Sequence, residues 1–452
     1  MTLATAEEAP SESAREAEAA YEAFVWKHLP RNFAAHYIHG MLGMTGFRLF
    51  NAPTFLPAYL HLLSGSDFFV GLGQSLQQLG SAVSPVIGAT QIEHRKRVMP
   101  VSMLMGTLMR VQILGVALAG FFLGGKVLLF AVLGFLFLLG LFGGAQQVAF
   151  QTLLAKVIPT ARRGRLQALR NVTGGAIAAG LAWVAGRYII QQNLFGNGYG
   201  VTFLLAFALT SLGLTALRLL MIEPIPPTIR VKSRLMARVR EFPALLTQDR
   251  HFMFFIVAQV FTTAGRVAAP FYILFAGRSM PMDGKMIGLL SLAFLGADTV
   301  TNMGWGLAGD RFGFRSTFIG ALVAWIAATI LLMNAPHMGA AAGAALGVKT
   351  LIVMAFFGLG AAQSGFLMSS QTMVLEFGAR DDMPMRLALT STAQGIMSAI
   401  GPLIGGLLAK FFGYSTLFAV SIACLGVALI LFLTLIEEPR FRPLATTDDA
   451  ML

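Results

Sequence analysis

Apolar runs of about 20 residues recur along the whole chain, parted by short polar stretches, with no period-2 alternation and few amphipathic stripes. At 1.5 Å rise per residue, a run of that length crosses a hydrocarbon core about 30 Å thick. Twelve such runs are read as spans, at residues 34–61, 68–90, 98–122, 126–155, 166–190 and 199–222, then 252–275, 284–308, 315–335, 347–376, 386–410 and 413–436. The expected fold class is therefore an all-α membrane protein with twelve transmembrane helices. Ahead of the first run, residues 1–12 are polar and expected to be disordered, and Ser13 to Lys27 is expected to form a short surface helix. Pro30 is expected to separate that helix from the first span.

The connections alternate in charge. His94 to Arg97, Arg162 to Arg165, Arg230 to Arg240, and Arg311 with Arg315 mark one side; Ser64 to Asp67, Gln191 to Gly198 and Ala335 to Ala345 carry no Lys or Arg. By the positive-inside rule both termini are expected in the cytoplasm, in a multi-pass protein of a bacterial inner membrane. Glu223 to Arg250 is the longest connection. Val231, Leu235, Val239 and Phe242 stand at helical spacing among arginines there, which reads either as a basic amphipathic helix on the inner leaflet or as an ordinary basic linker. The expected units are a tail at 1–33, a six-span half at 34–222, the linker at 223–250, a second half at 251–437 and a tail at 438–452.

Composition narrows the class. The 452 residues are 56% hydrophobic and 12% charged, and the mean hydropathy is +0.71, outside the range of soluble domains. The net charge of +12 sits in short loops, where it suits anionic lipid headgroups rather than nucleic acid. Cys424 is the single cysteine, which excludes an internal disulfide and a thiolate metal cluster. The first thirty residues lack a basic n-region and an apolar core, so no signal peptide is read. No H-E-x-x-H, Gly-rich phosphate loop or Ser/His/Asp constellation is present, so neither an enzyme nor a bound metal or cofactor is expected.

The chain also repeats itself at an offset of 217 to 221 residues. G-F-R-L-F-N-A-P places Arg48 before Ala52-Pro53, and G-R-V-A-A-P places Arg266 before Ala269-Pro270. Gly71 falls against Gly288, Glu93 against Asp310, and Gln151-Thr152 against Gln371-Thr372.

One polar hairpin stands out, G-L-A-G-D-R-F-G-F-R from Gly306 to Arg315. Gly306 lets helices approach closely, Gly313 permits a tight turn, and Asp310 can lie against the positive end of a neighbouring helix. The hairpin resembles the cytoplasmic loop signature G-x3-D-[RK]-x-G-x-[RK] of the major facilitator superfamily, a family of secondary transporters. The earlier loop Ala89 to Arg97 is a degraded copy of it, with Glu93 in place of the Asp and no second Gly.

The resemblance implies two pseudo-symmetric six-helix bundles that work by alternating access around a central cavity. It also implies a gate of Glu93, Arg97, Gly306, Asp310, Arg311, Gly313 and Arg315. Glu93 would address the start of span eleven near Arg386, and Asp310 that of span five near Arg165. G-P-x2-G-G at Gly401 to Gly406 resembles the end of the antiporter motif but lies in span eleven, and reads first as a closely packed bend.

Ionisable groups inside spans are costly and so are candidate sites. Arg48 and Arg266 occupy matching depths; they either clamp an anionic substrate or tie helices together. Asp298, with Asn302 one turn on, is the candidate proton-coupling group or one member of a structural pair. Asn51, Gln147, Gln151, Asn302 and Gln371 complete the expected substrate-binding set, although glutamine in membranes is often interhelical glue. Arg110, Gln112, Arg187, His36 and His39 are read as structural. The expected activity is proton-coupled transport of a small anionic or amphiphilic organic solute by a monomer. The alternatives are a multidrug or lipid-type exporter and a non-transporting scaffold or sensor.

Overall fold

A computed structural model describes residues 12–92, 95–226, 249–341, 345–377 and 383–438. The described residues form helices and connecting turns, with no strand among them. The first span is α1 (Glu12–Phe50) with α2 (Phe55–Ser64); α3 (Asp67–Ile92), α4 (Met99–Phe122), α5 (Gly125–Val157), α6 (Thr160–Val184) and α7 (Gly198–Leu220) follow. In the second half α8 (Arg250–Gly265) and α9 (Tyr272–Ala276) make span seven. Then come α10 (Gly284–Phe312), α11 (Phe314–Ala341), α12 (Ala345–Glu376) and α13 (Met383–Thr434). α13 carries spans eleven and twelve, divided at Gly413, whose φ of 82° interrupts the helix.

Eight of the described helices, α13 among them with a 46-residue stretch, are long and apolar enough to cross a membrane. The stretches left out, α1 with α2, α3 and α6, carry the polar and basic groups of spans one, two and five, which lowers their mean hydropathy. Their polar side chains are largely taken up inside the bundle: Asn32, His36, Thr45, Ser75, Ser84 and Arg170 are buried. The two halves meet through packing of span two on eleven and span five on eight.

The N-terminal segment departs from expectation. α1 runs unbroken through Pro30 into the first span. A proline removes one N–H and crowds the preceding turn, but the chain on either side is tied down. Tyr21 Oη donates to Lys156 O at 3.1 Å, Arg31 Nε donates to Leu220 O at 2.7 Å, and Asn32 exchanges hydrogen bonds with Ile222. The expected amphipathic linker helix and Glu93 lie outside the described residues.

Spans one and seven, read as continuous, are both interrupted in the same place. α1 ends at Phe50 and α2 begins at Phe55, with Asn51-Ala52-Pro53 between them. In span seven a tight 3-10 turn, Arg266–Phe271, contains Pro270. In each case the proline withdraws a backbone donor and releases carbonyls near mid-span, so the repeated Ala-Pro is a repeated hinge in the backbone.

Candidate functional site

Between the halves, at the level of these two breaks, lies a cavity of about 260 Å³. Arg266, Thr263, Val267 and Pro270 of span seven line it, with Asn51 and Pro53 of span one, Gln74 and Gln78 of span two, Phe294, Trp325, Gln363, and Ser398 and Pro402 of span eleven. Amide side chains therefore share the wall with proline, phenylalanine and tryptophan.

The two candidate guanidiniums have different surroundings. Arg48 Nη1 lies 3.0 Å from Asp298 Oδ2 and donates to Thr299 Oγ1 at 3.3 Å. Its charge is neutralised across the interface between the halves, and it does not line the cavity. Arg266 Nη2 donates to Gln363 Oε1 at 2.7 Å, and its guanidinium lies 4.1 Å from the Phe366 ring centroid and 5.2 Å from that of Trp325. Its Nε is buried without a hydrogen-bond partner, and among the described residues no carboxylate comes within ion-pair distance. Trp325 is itself fixed, its Nε1 donating to Tyr272 Oη at 3.1 Å.

Of the other expected site residues, Asn51 lines the cavity and accepts from Gln77 Nε2 at 2.8 Å. Asn302 donates to Ser364 Oγ at 3.0 Å, tying span eight to span ten. Gln147, Gln151 and Gln371 are exposed and lie outside the cavity lining. Arg110 is buried and structural: Nε donates to Thr210 O and Nη1 to Gly106 O, each at 2.7 Å. His36 and His39 are buried against the Phe150 ring. Sequence reasoning missed Trp325 and Phe294, whose apolar surroundings give no signal.

The expected gate residues are placed unevenly. Asp310 and Arg311 are exposed, and no hydrogen bond or ion pair joins Asp310 to the described start of span five. Arg97 is exposed, and Gly306 lies near Met368. Gly313 makes the expected turn, with φ of 86°. Arg315 ties span nine to the end of span twelve within one half, its Nε donating to Phe432 O at 3.0 Å.

The acids that do meet helix starts are others. Glu223 accepts from Val98 N at 2.6 Å and Met99 N at 3.0 Å, and pairs with Lys156 at 3.0 Å. Glu438 accepts from Arg315 N at 3.0 Å. Both precede a proline, Glu223-Pro224 and Glu438-Pro439, at matching ends of the two halves. That repeat was the available signal.

The bonds that join the halves run from mid-membrane toward the face opposite the termini. Among the described residues they are Arg48 with Asp298 and Thr299, Thr54 with Ser291 at 2.6 Å, Ser75 Oγ with Leu403 N at 2.8 Å, Gln191 with Lys285 N at 3.1 Å and Asp67 with Tyr414 at 2.8 Å. On that side Gly186 of span five meets Gly284 and Gly288 of span eight so closely that a Cβ would land on backbone. Gly406, from the G-P-x2-G-G stretch, lies against Phe68 and Gly71.

Residues 252–450 match the family model described as Major Facilitator Superfamily. The chain is 28% identical over 141 residues to "Multi-drug resistance efflux pump PmrA homolog" of Lactococcus lactis subsp. lactis, which is 31% of this chain and 32% of that protein. It is 29% identical over 151 residues to "Citrate exporter 1" of Aspergillus niger, 33% of this chain and 26% of that protein. The chain thus spans about a third or less of the length of these curated relatives. Among solved structures, a mutant of the nucleoside transporter NupG superposes with a TM-score of 0.71 at 15% identity, over 90% of this chain and 100% of that one. The D-xylose-proton symporter gives 0.67 at 14%, over 92% and 100%. These likenesses show the fold. The C-terminal half thus matches the major facilitator superfamily, and the chain shares the fold of these solved transporters over about nine-tenths of its length.

Proposed function

We propose that this protein is a secondary transporter, and that its cargo is a small organic solute bearing one carboxylate or comparable anionic oxygen. The observation that carries this reading is the unneutralised Arg266 at the cavity wall. A charge near the bilayer centre costs at least about 2.5–3.5 kcal/mol, and cation–π contact with Phe366 and Trp325 offsets only part of that. A solute carboxylate would supply the missing counter-charge, while Asn51, Gln74 and Gln78 offer hydrogen bonds to its hydroxyl or carbonyl groups.

Arg48 drops out of the paired clamp, because Asp298 already holds it. One guanidinium favours one carboxylate over a polyanion. The name of the citrate exporter supports an organic acid only as a class. The name of the efflux pump, together with Phe294, Trp325 and the prolines in the wall, supports a second reading in which the solute is an amphiphile.

The Arg48–Asp298 pair is the element we assign to coupling. It joins span one to span eight, so a proton on Asp298 would replace a cross-half ion pair with a neutral carboxyl and loosen the halves. In this reading the basic face is cytoplasmic, and Asp310 is exposed because the cytoplasmic side is the open one in this state. When that side closes, Asp310 meets the start of span five.

Purified protein in proteoliposomes tests both parts. Binding and uptake of monocarboxylates, citrate and the matching uncharged amides should favour monocarboxylates by about tenfold or more. Equal binding of acid and amide removes Arg266 as an anion anchor. Asp298→Asn should still bind substrate but lose its response to a pH gradient. An unchanged response excludes Asp298 as the coupling group.

A further inference from the structure

The expected gate lies on the face of the termini, yet the inter-half contacts gather on the opposite face. There, Asp67 opens α3 with its side chain almost fully buried. One oxygen, Oδ1, is shared by both halves: Tyr414 Oη of the second half donates to it at 2.8 Å, and His61 Nδ1 of the first half lies 3.2 Å away. Behind the phenol, the Arg278 guanidinium sits 4.2 Å from the Tyr414 ring centroid. The backbone beside this group is equally tight, since Gly406 packs against the carbonyl of Asp67.

We propose that His61, Asp67 and Tyr414, backed by Arg278, form a proton-responsive latch on the gate opposite the termini. The inference rests on the alternating-access reading above. Its logic is local. A buried carboxylate bound by a donor from the other half holds that half in place, and breaking the bond leaves a desolvated acceptor unpaired.

His61 supplies the pH dependence. Its side chain is 41% exposed, so protons reach it from the aqueous side. Imidazole as a class changes charge between about pH 5 and 8, while carboxylates titrate near pH 4. A proton taken up by the imidazole makes the His61–Asp67 contact charge-assisted, which fixes the carboxylate in the place where Tyr414 of the other half meets it.

Among the described residues the other charged or titratable groups on this face are Lys126 at the start of α5, Arg187 near the end of span five, Arg278 beyond α9, Asp283 and Lys285 at the start of α10, His337 near the end of α11, Lys349 at the start of α12 and Lys410 in α13. The first span brings Arg48, which is paired with Asp298. Asp283 caps α10 through Met286 N, and Lys410 lies over Phe68 and Phe411. Asp67 is the acid in ion-pair reach of His61 among the described residues.

The test measures distance across this face, without substrate. Spin labels at Phe195→Cys and Phe412→Cys, both exposed, are placed on a Cys424→Ser background in lipid nanodiscs, and their separation is read at pH 8 and pH 5.5. The parent should show a short-distance population that grows severalfold relative to the long one at pH 5.5. Tyr414→Phe and Asp67→Asn should each move the ratio about tenfold toward long distances. His61→Gln should remove the pH response.

Tyr414→Phe deletes a single hydroxyl, so it keeps the test open should Asp67→Asn fail to fold. A parent distribution retained in Tyr414→Phe, or a pH response retained in His61→Gln, overturns the latch. Neither result touches the carboxylate-against-amide comparison, so failure here is distinct from failure of the substrate reading.

Discussion

Arg48 and Arg266 stand at corresponding places in a duplicated chain, each a few residues before an Ala-Pro that breaks its span, yet among the described residues only Arg48 is paired with an acid. Arg48 meets Asp298 across the interface at 3.0 Å. Arg266 meets an amide and two aromatic rings. The repeat has preserved a backbone hinge and a cation beside it, while the groups facing each cation have diverged. In a fold built from two copies, the departure from symmetry is where a directional task can be located: one half presents charge to the cavity and the other uses it to hold the halves together.

The largest expected effect comes from removing the charge that is left over. Arg266→Gln should lower carboxylate uptake about a hundredfold, the loss of one charge-assisted contact of roughly 2.7 kcal/mol, with little change in the uptake of uncharged amides. Comparing initial rates for the two probes checks this. If both fall together, the substitution has damaged the cavity generally and Arg266 is not an anion anchor.

The comparison can also be erased by making the second half resemble the first. Gln363→Glu puts a carboxylate where Gln363 Oε1 now lies, 2.7 Å from Arg266 Nη2, and so pairs Arg266 as Asp298 pairs Arg48. Carboxylate affinity should fall about tenfold, a coupling of roughly 1.4 kcal/mol, while thermal stability in detergent holds or rises. An unchanged affinity would mean that the solute never meets the guanidinium.

These contrasts explain what could be read from the residues and what could not. The spans, the two halves, the turn at Gly313 and the costly charges follow from local pattern, because apolar length, glycine and intramembrane arginine each have a physical meaning wherever they occur. That Asp298 belongs to Arg48 rather than Arg266 depends on which helices face each other across the interface, and spacing within one span does not encode that. The same holds for Asp310. Its motif implies a contact with the start of span five, but the halves here are drawn together on the other face, and spacing within one loop does not encode which face is joined. Pro30 misled for a related reason: its local tendency to end a helix is overridden by ties from Tyr21, Arg31 and Asn32 to distant residues.

The smallest expected effect concerns the other repeated pair, the acids Glu223 and Glu438. Both accept backbone donors at the start of a span in their own half, where a carboxylate is favoured by the exposed N–H groups and the helix dipole. They differ in how much they hold: Glu223 takes two N–H groups and the Lys156 ammonium, whereas the N–H of Arg315 is the backbone donor to Glu438 at a helix start. Neutralising each as Gln should therefore destabilise unequally, by about 2 kcal/mol for Glu223→Gln and about 1 kcal/mol for Glu438→Gln, on the scale of cap losses and charge-assisted bonds. Thermal unfolding of the two variants in one detergent orders them directly. A larger loss at Glu438 would show that the C-terminal half depends on its cap for more than the contact to Arg315, and that the two halves differ in stability as well as in charge.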